Sequence, residues 1–267
     1  MFGVVPKRMW NNMIPSDENN MITLSMRCLL VDDGERVILF DTGMGSKQGE
    51  KFRSFFEPHG EDSLSMSIRN AGYTMDQITD VFISHFHFDH CGGALSLDSK
   101  GQIVPSFPNA KYWTNDRHYK WAYDANPREA ASFLKENFQP LKEMGMLEFL
   151  DVEEDLPFTD RIRINFYYGH TDAMMVPTIR TDNGEDIVFT ADLLPTSHHV
   201  RMPYVMSYDV RPLETLNDRK RFYEKALADN CYIFFEHDKD TMLGQLIQNE
   251  KGRFGIQRVE NTGLLNT

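Results

Sequence analysis

Apolar and polar positions alternate in short runs through the first third of the chain and predict strands. The segment 22–32, ITLSMRCLLVD, has strand-like spacing and stops at Asp32-Asp33-Gly34. RVILFD (36–41) follows at once, and two such runs across a short Asp/Gly turn predict a hairpin. Residues 63–73 switch to helical spacing, with Gly72 placed as a C-cap. VFISH (81–85) is a short buried-strand run that leads straight into HFHFDHCGG. The middle changes character. Residues 127–145 open on Pro127, read as helix and break at Pro140, which predicts a helical insertion or lid at about 115–145. Strand patterns return at 147–150, 161–168, 175–181 and 186–192. A helix over 213–229 precedes a strand at 231–237, and 254–260 reads as the last strand. Strands with a helix, an insertion, then strands with a helix again describe two similar halves. The expected class is α/β, a four-layer αββα sandwich, as a single domain over 1–267.

Composition narrows the setting. With 19 Phe and 10 Tyr, the chain has too much apolar surface to remain disordered. No apolar run reaches the roughly 20 residues that a membrane helix needs. The 28 basic and 40 acidic residues give a net charge of −12, which argues against a polyanionic partner such as nucleic acid. Three cysteines, Cys28, Cys91 and Cys231, make no disulfide framework, and a reducing cytoplasm is the expected compartment. At the N-terminus an apolar stretch precedes Lys7 and Arg8, the reverse of a signal peptide.

The chemistry concentrates in HFHFDH, which holds His85, His87, Asp89 and His90. On an extended backbone, alternation sets His85, His87 and Asp89 on one side. A turn permitted by Gly92-Gly93 then frees His90. A lone histidine is usually an ordinary core residue. Four ligand-type side chains in six residues are costly to bury without compensation, and they can surround one metal or two adjacent ones. Three more ligand types follow at strand ends: His170 in Gly-His-Thr after INFYY, Asp192 after DIVFT and His237 after CYIFF. Five His and two Asp suffice for two metals with three private ligands each and one bridging carboxylate. Imidazole and carboxylate suit Zn²⁺ first, and also Mn²⁺, Fe²⁺ or Co²⁺.

In that order, the H-x-H-x-D-H run, Gly-His-Thr, the strand-end Asp192 and His237, and Asp41-Thr42-Gly43 resemble the metallo-β-lactamase superfamily over roughly residues 22–237. The resemblance implies the αββα sandwich. It implies that His85, His87 and His170 hold one metal, that Asp89, His90 and His237 hold the other, and that Asp192 bridges. Asp41 would stand behind the ligands as support. Within the superfamily, residues 189–209, the FFEHD run (234–238) and the early MFGVVPKRMW resemble the quorum-quenching acyl-homoserine lactonases and their phosphotriesterase-like relatives. Members of that branch carry a few residues of strand ahead of this point, so a trimmed N-terminus is among the expectations. One departure stands out. Those lactonases have Tyr three residues after the bridging Asp, where this chain has Pro195; Tyr204, Tyr208 or His198 could substitute from the same loop.

The resemblance and the ligand set together point to a dinuclear hydrolase that opens a lactone or cleaves an ester with a hydroxide held between two divalent ions. Asp192 and Asp89 are the candidate catalytic residues, Asp89 as a proton carrier to the leaving group. Met202, Tyr204, Met206 and Tyr208 interleave along one loop, and Met1, Phe2, Trp10 and Met13 add a second apolar group. Such walls suit an acyl chain, so His198, Met202, Tyr204 and Tyr208 are the candidate pocket residues. Other readings are a glyoxalase II-like thioesterase, an organophosphate or phosphodiester hydrolase, and a metal-binding interaction protein without catalysis. The thioesterase lacks a clear basic site for glutathione. A degenerate binding protein would be expected to lack some member of the seven-residue set. The expected partner is a small-molecule substrate, with a homodimer suggested by the relatives and neither nucleic acid nor membrane involved.

Overall fold

The computed structural model describes residues 1–260, so the last seven residues of the expected single domain lie outside the described residues. The chain divides into two compact units. One joins Met1–Arg27 to the chain from Val152 onward, and the other is Cys28–Asp151. In the first of these, Lys7–Trp10 forms a single helical turn, α1.

The Cys28–Asp151 unit opens with the expected hairpin, β1 (Leu29–Asp32) antiparallel to β2 (Val37–Phe40). Two helices follow, α2 (Glu50–Arg53) and α3 (Leu64–Asn70). The side chain of Ser63 caps α3 by accepting from Met66 N–H, and Gly72 follows the helix in the left-handed region at φ +90°. Then come β3 (Asp80–Phe82), the short helix α4 (Phe88–Cys91), the small hairpin β4 (Leu95–Leu97) and β5 (Ile103–Pro105), and β6 (Lys111–Asn115). Helices α5 (Asp116–Tyr123) and α6 (Gln139–Glu143) and strand β7 (Leu147–Leu150) complete the unit. The main sheet runs β1-β2-β3-β6-β7, parallel from β2 onward. Its strands and helices bury a core that includes Leu39, Val81, Ile83, Phe86, Tyr112 and Leu141.

The other unit carries β8 (Leu156–Pro157), β9 (Ile162–Tyr167), β10 (Met174–Arg180) and β11 (Asp186–Phe189). The 18-residue helix α7 (Pro212–Asp229) leads into β12 (Tyr232–Phe234), β13 (Leu243–Gln248) and β14 (Phe254–Val259). The seven strands lie in the order β14-β13-β12-β11-β10-β9-β8, with only the β11–β12 pair parallel. A satellite cluster of Phe2, Ile14 and Tyr204 packs beside the sheet's loops. Among the described residues no helix is long and apolar enough to cross a membrane.

Three expectations need correction. Residues 22–28 are extended but lie outside any sheet; Ser25 and Arg27 donate their N–H groups to the carbonyls of His237 and Glu236 at 3.2 and 3.1 Å. The insertion is less helical than its composition suggests, because 124–134 is a run of turns and loop between α5 and a single 3-10 turn at Lys135–Asn137. Pro140 does not break a helix. It sits in the first turn of α6, where its missing N–H costs nothing.

Candidate metal centre

Four strands end in the same way. His85, His170, Asp192 and His237 each lie three residues past the last residue of β3, β9, β11 and β12 respectively, and Asp41 lies one residue past β2. Strand ends fix the backbone while leaving the side chain free to aim, which is where α/β folds place their sites. Three of these loops hold strained non-glycine residues: Asp41 at φ +55°, Ala173 in the His170 loop at φ +54°, and Ala191, next to Asp192, at φ +42°.

In the Cys28–Asp151 unit the extended backbone lasts only to His87, which is the N-cap of α4. Asp89 and His90 therefore project from a helical turn, not from the continued strand that alternation predicted. Gly92 and Gly93 serve a different purpose from the expected turn. A Cβ on Gly92 would stand 2.0 Å from the Met44 carbonyl oxygen, and one on Gly93 would stand 2.2 Å from that of Thr42. The glycines let the 41–45 loop and the histidine motif touch backbone to backbone.

Buried Asp41 organises the imidazoles. Its Oδ2 accepts from Ser84 Oγ–H at 2.6 Å and from His90 Nδ1 at 2.9 Å, and its Oδ1 accepts from Ser84 N–H at 2.7 Å. Ser84 Oγ, its proton committed to Asp41, accepts from His85 Nδ1 at 3.0 Å. This network assigns both tautomers: the proton is on Nδ1 and the lone pair is on Nε2 of His85 and of His90. His85 Nε2 lies 3.1 Å from His87 Nδ1, while His87 Nε2 faces Glu129 across 3.8 Å. Glu129 is held in turn by Trp121 Nε1–H at 2.9 Å and by Asn126. His118, outside the expected set, accepts the Phe86 N–H at 2.9 Å and fixes the backbone between the two histidines. Cys91 is a structural thiol. Its Sγ–H donates to the Phe86 carbonyl at 3.3 Å, and burial pushes its pKa up to about 12.

In the other unit the same tautomer recurs. His170 donates from Nδ1 to Asp209 at 2.9 Å, leaving Nε2 to face Asp192 Oδ2 at 3.0 Å. His237 donates from Nδ1 to the Ser25 carbonyl at 2.8 Å, leaving Nε2 to face Asp192 Oδ1 at 3.3 Å. Asp192 thus aims one oxygen at each of two imidazoles. Burial alone would depress the His170 pKa, but Asp192 and Asp209 outweigh it and raise it to about 10. Such a negative potential around Nε2 suits a cation.

The four residues expected in the pocket have separate fates. Tyr204 is buried edge-on against Phe2, with centroids 6.0 Å apart, so both are taken up by the satellite cluster. Phe2 also stacks on His199 at 4.4 Å. Tyr208 is 60% exposed, and His198 and Met202 are half-buried. Pro195, in the lactonase tyrosine's place, accepts the His237 N–H through its carbonyl at 3.0 Å.

The donor chemistry fits divalent metal. Four imidazoles are held through Nδ1, which turns Nε2 to the other side of each ring, the arrangement of ligating histidines with their outer partners. The chain is 24% identical over 250 residues to an N-acyl homoserine lactonase of Bacillus cereus, covering 87% of this chain and 86% of the relative. It is similar in structure to a probable metal-dependent hydrolase from Staphylococcus aureus, with a TM-score of 0.84, 23% identity, and 97% of this chain and 92% of that one covered. It is also similar to AidC, a dizinc quorum-quenching lactonase in complex with a product, at a TM-score of 0.72, 24% identity, and 89% and 80% coverage. The metallo-beta-lactamase superfamily model matches residues 26–237. With that match spanning most of its length, and its strand-end histidines and aspartates in place, the chain belongs to the metallo-β-lactamase superfamily, has its α/β fold, and is a metal-dependent hydrolase.

Proposed function

We propose that the chain is a dinuclear lactonase or esterase, acting on an acyl-homoserine lactone or a related cyclic or linear ester. The observation that carries this reading is the posture of Asp192, whose two oxygens face the Nε2 atoms of His170 and His237 at 3.0 and 3.3 Å, as a bridging carboxylate's would. In this reading His85, His87 and His170 hold one ion, Asp89, His90 and His237 hold the second, and Asp192 joins them. Two such ions, zinc first, would supply a water nucleophile of lowered pKa and polarise the substrate carbonyl.

The protein's own groups do the rest. Asp41, Ser84, Asp209 and the Ser25 carbonyl keep four imidazoles in the ligating tautomer without reorganisation. The Asp89 side chain is 30% open to solvent, while that of neighbouring His90 is fully buried. A carboxylate in that position exchanges protons with bulk water and delivers one to the leaving alkoxide. The lactonase relatives at 24% identity, of similar length, support the lactone class. The sparse, odd set of three cysteines fits a reducing, cytoplasmic setting.

The test is kcat/KM on zinc-loaded protein for an acyl-homoserine lactone, a δ-lactone, a glutathione thioester, paraoxon and a cephalosporin. The lactones should lead. A lead of more than about tenfold by any of the other three, roughly 1.4 kcal/mol in transition-state binding, overturns the reading.

A further inference from the structure

Helix α7 carries a polar pair on its buried face. Thr215, Asp218, Arg219, Phe222, Tyr223 and Ala226 are all buried, at the spacing of one helix face. Burying a carboxylate and a guanidinium is costly, so their partners matter. Asp218 Oδ2 accepts the N–H groups of Tyr168 and Gly169 at 2.7 and 2.8 Å, the two residues that lead into His170. The helix approaches that loop so closely that a Cβ on Gly169 would stand 2.3 Å from Thr215 N. Just before α7, Arg211 and Val210 donate N–H groups to the carbonyls of Gly169 and His170 at 2.9 and 3.1 Å.

Arg219 is fully buried and makes no bidentate carboxylate pair among the described residues. Instead its Nε donates to the Leu193 carbonyl at 3.1 Å, and its Nη1 donates to the carbonyls of His199 and Tyr204 at 2.8 and 2.9 Å. Leu193 is the residue after Asp192. Tyr223, one turn further on, donates from its hydroxyl to the Val200 carbonyl at 2.7 Å. The guanidinium fork thus gathers three points of one loop, which a lysine ammonium cannot match in direction.

We propose that Asp218 and Arg219 are positioning residues: adjacent on α7, they clamp the His170 loop and the Asp192 loop respectively, and so hold both ligands at metal-binding geometry. This rests on the proposed metal centre. Neither side chain is placed as a ligand, so each acts through backbone.

The experiment uses the full chain as wild type, Arg219→Lys, Asp218→Asn and a control, Ile162→Ala. Ile162 is buried at the start of β9, the opposite end of that strand from His170. Folding is checked by circular dichroism and Tm, zinc affinity by competition with a chelator, and loop mobility by hydrogen exchange on metal-free protein. The expected result is that both polar variants keep their helix content and bind zinc at least about tenfold more weakly. Exchange should speed up within 193–204 for Arg219→Lys and at 168–170 for Asp218→Asn. Ile162→Ala should lower Tm while leaving zinc affinity within about twofold. Zinc binding in both polar variants within twofold of wild type, or weakened no more than in the control at equal Tm loss, overturns the clamp. If Arg219→Lys does not fold, Asp218→Asn alone decides by the same criteria. A wild type that binds no zinc refutes the metal-centre reading instead, and the two exchange patterns still decide the clamp.

Discussion

The two units present ligand-type residues by opposite means. In Cys28–Asp151, four ligand-type residues come from one stretch, 85–90, and a single carboxylate, Asp41, sets two of its imidazoles through contacts made within the same unit. In the other unit, His170, Asp192 and His237 come from three separate loops, and each is secured by a different long-range partner: Asp209 and Asp218 for the first, Arg219 for the second, the Ser25 carbonyl for the third. A contiguous motif concentrates its dependence on one residue behind it. A dispersed set spreads that dependence over several anchors, each of which should matter less on its own.

Replacing Asp192, the proposed shared ligand, should produce the largest effect. Asp192→Ala removes the carboxylate that faces both His170 and His237, and hydrolysis should fall by roughly three orders of magnitude or more, about 4 kcal/mol in transition-state stabilisation. The fold should survive, because the residue lies past the end of β11 and not within the sheet. Near wild-type turnover, with contaminating activity excluded, would refute the bridging role. Next come the carboxylates behind the histidines. Asp41→Asn puts an amide N–H where two donors now converge and disturbs the tautomers of both His85 and His90. Asp209→Asn disturbs the tautomer of one imidazole, His170. Outer partners of ligating histidines are each worth about 10–100-fold in metal affinity or activity. Asp41→Asn should fall at the upper end and Asp209→Asn at the lower. Zinc affinities measured in parallel would break the comparison if that order were reversed.

The same contrast explains what could be read from the sequence. The 85–90 run is recognisable because its chemistry is consecutive, and the strand-end positions of His170, Asp192 and His237 follow from hydrophobic runs that stop just before them. The anchors are less legible. Asp209 is 39 residues from His170, and Asp218 and Arg219 sit in LNDRKRF, which looks like a solvated charged stretch. A signal existed: both lie in register with Phe222, Tyr223 and Ala226, the buried stripe of α7. β13, LGQLIQ, carries a weak strand signal because Gly and Gln interrupt its alternation. Gly244 is required there, since a Cβ would come within 2.3 Å of the Ile256 side chain. An apolar residue near a site, such as Phe2 or Tyr204, reads alike in sequence whether it faces substrate or packs on a neighbour.

The smallest expected effect tests whether surface contacts in the unit with the contiguous motif are as dispensable as the comparison implies. At the end of β1, Asp32 accepts the Gly34 N–H at 2.8 Å and the Tyr73 hydroxyl at 2.6 Å. The hydroxyl first, then the backbone N–H, hold its carboxyl below the usual range. A carboxylate with a lowered folded-state pKa stabilises the fold above its unfolded value. That contribution is lost as pH falls through the folded one. Tyr73→Phe removes the larger cause. Because Asp32 is nearly fully solvated, the loss should stay under about 1 kcal/mol at neutral pH. It should shrink towards zero in acid, once the wild-type carboxylate is itself protonated. Zinc affinity should not change, since neither residue touches the motif or Asp41. Urea midpoints for both proteins between neutral pH and the acid limb would check this. A Tyr73→Phe loss that grew as pH fell would refute the part assigned to the Asp32 carboxylate, and one accompanied by loss of zinc would show that this hairpin contact reaches the metal centre.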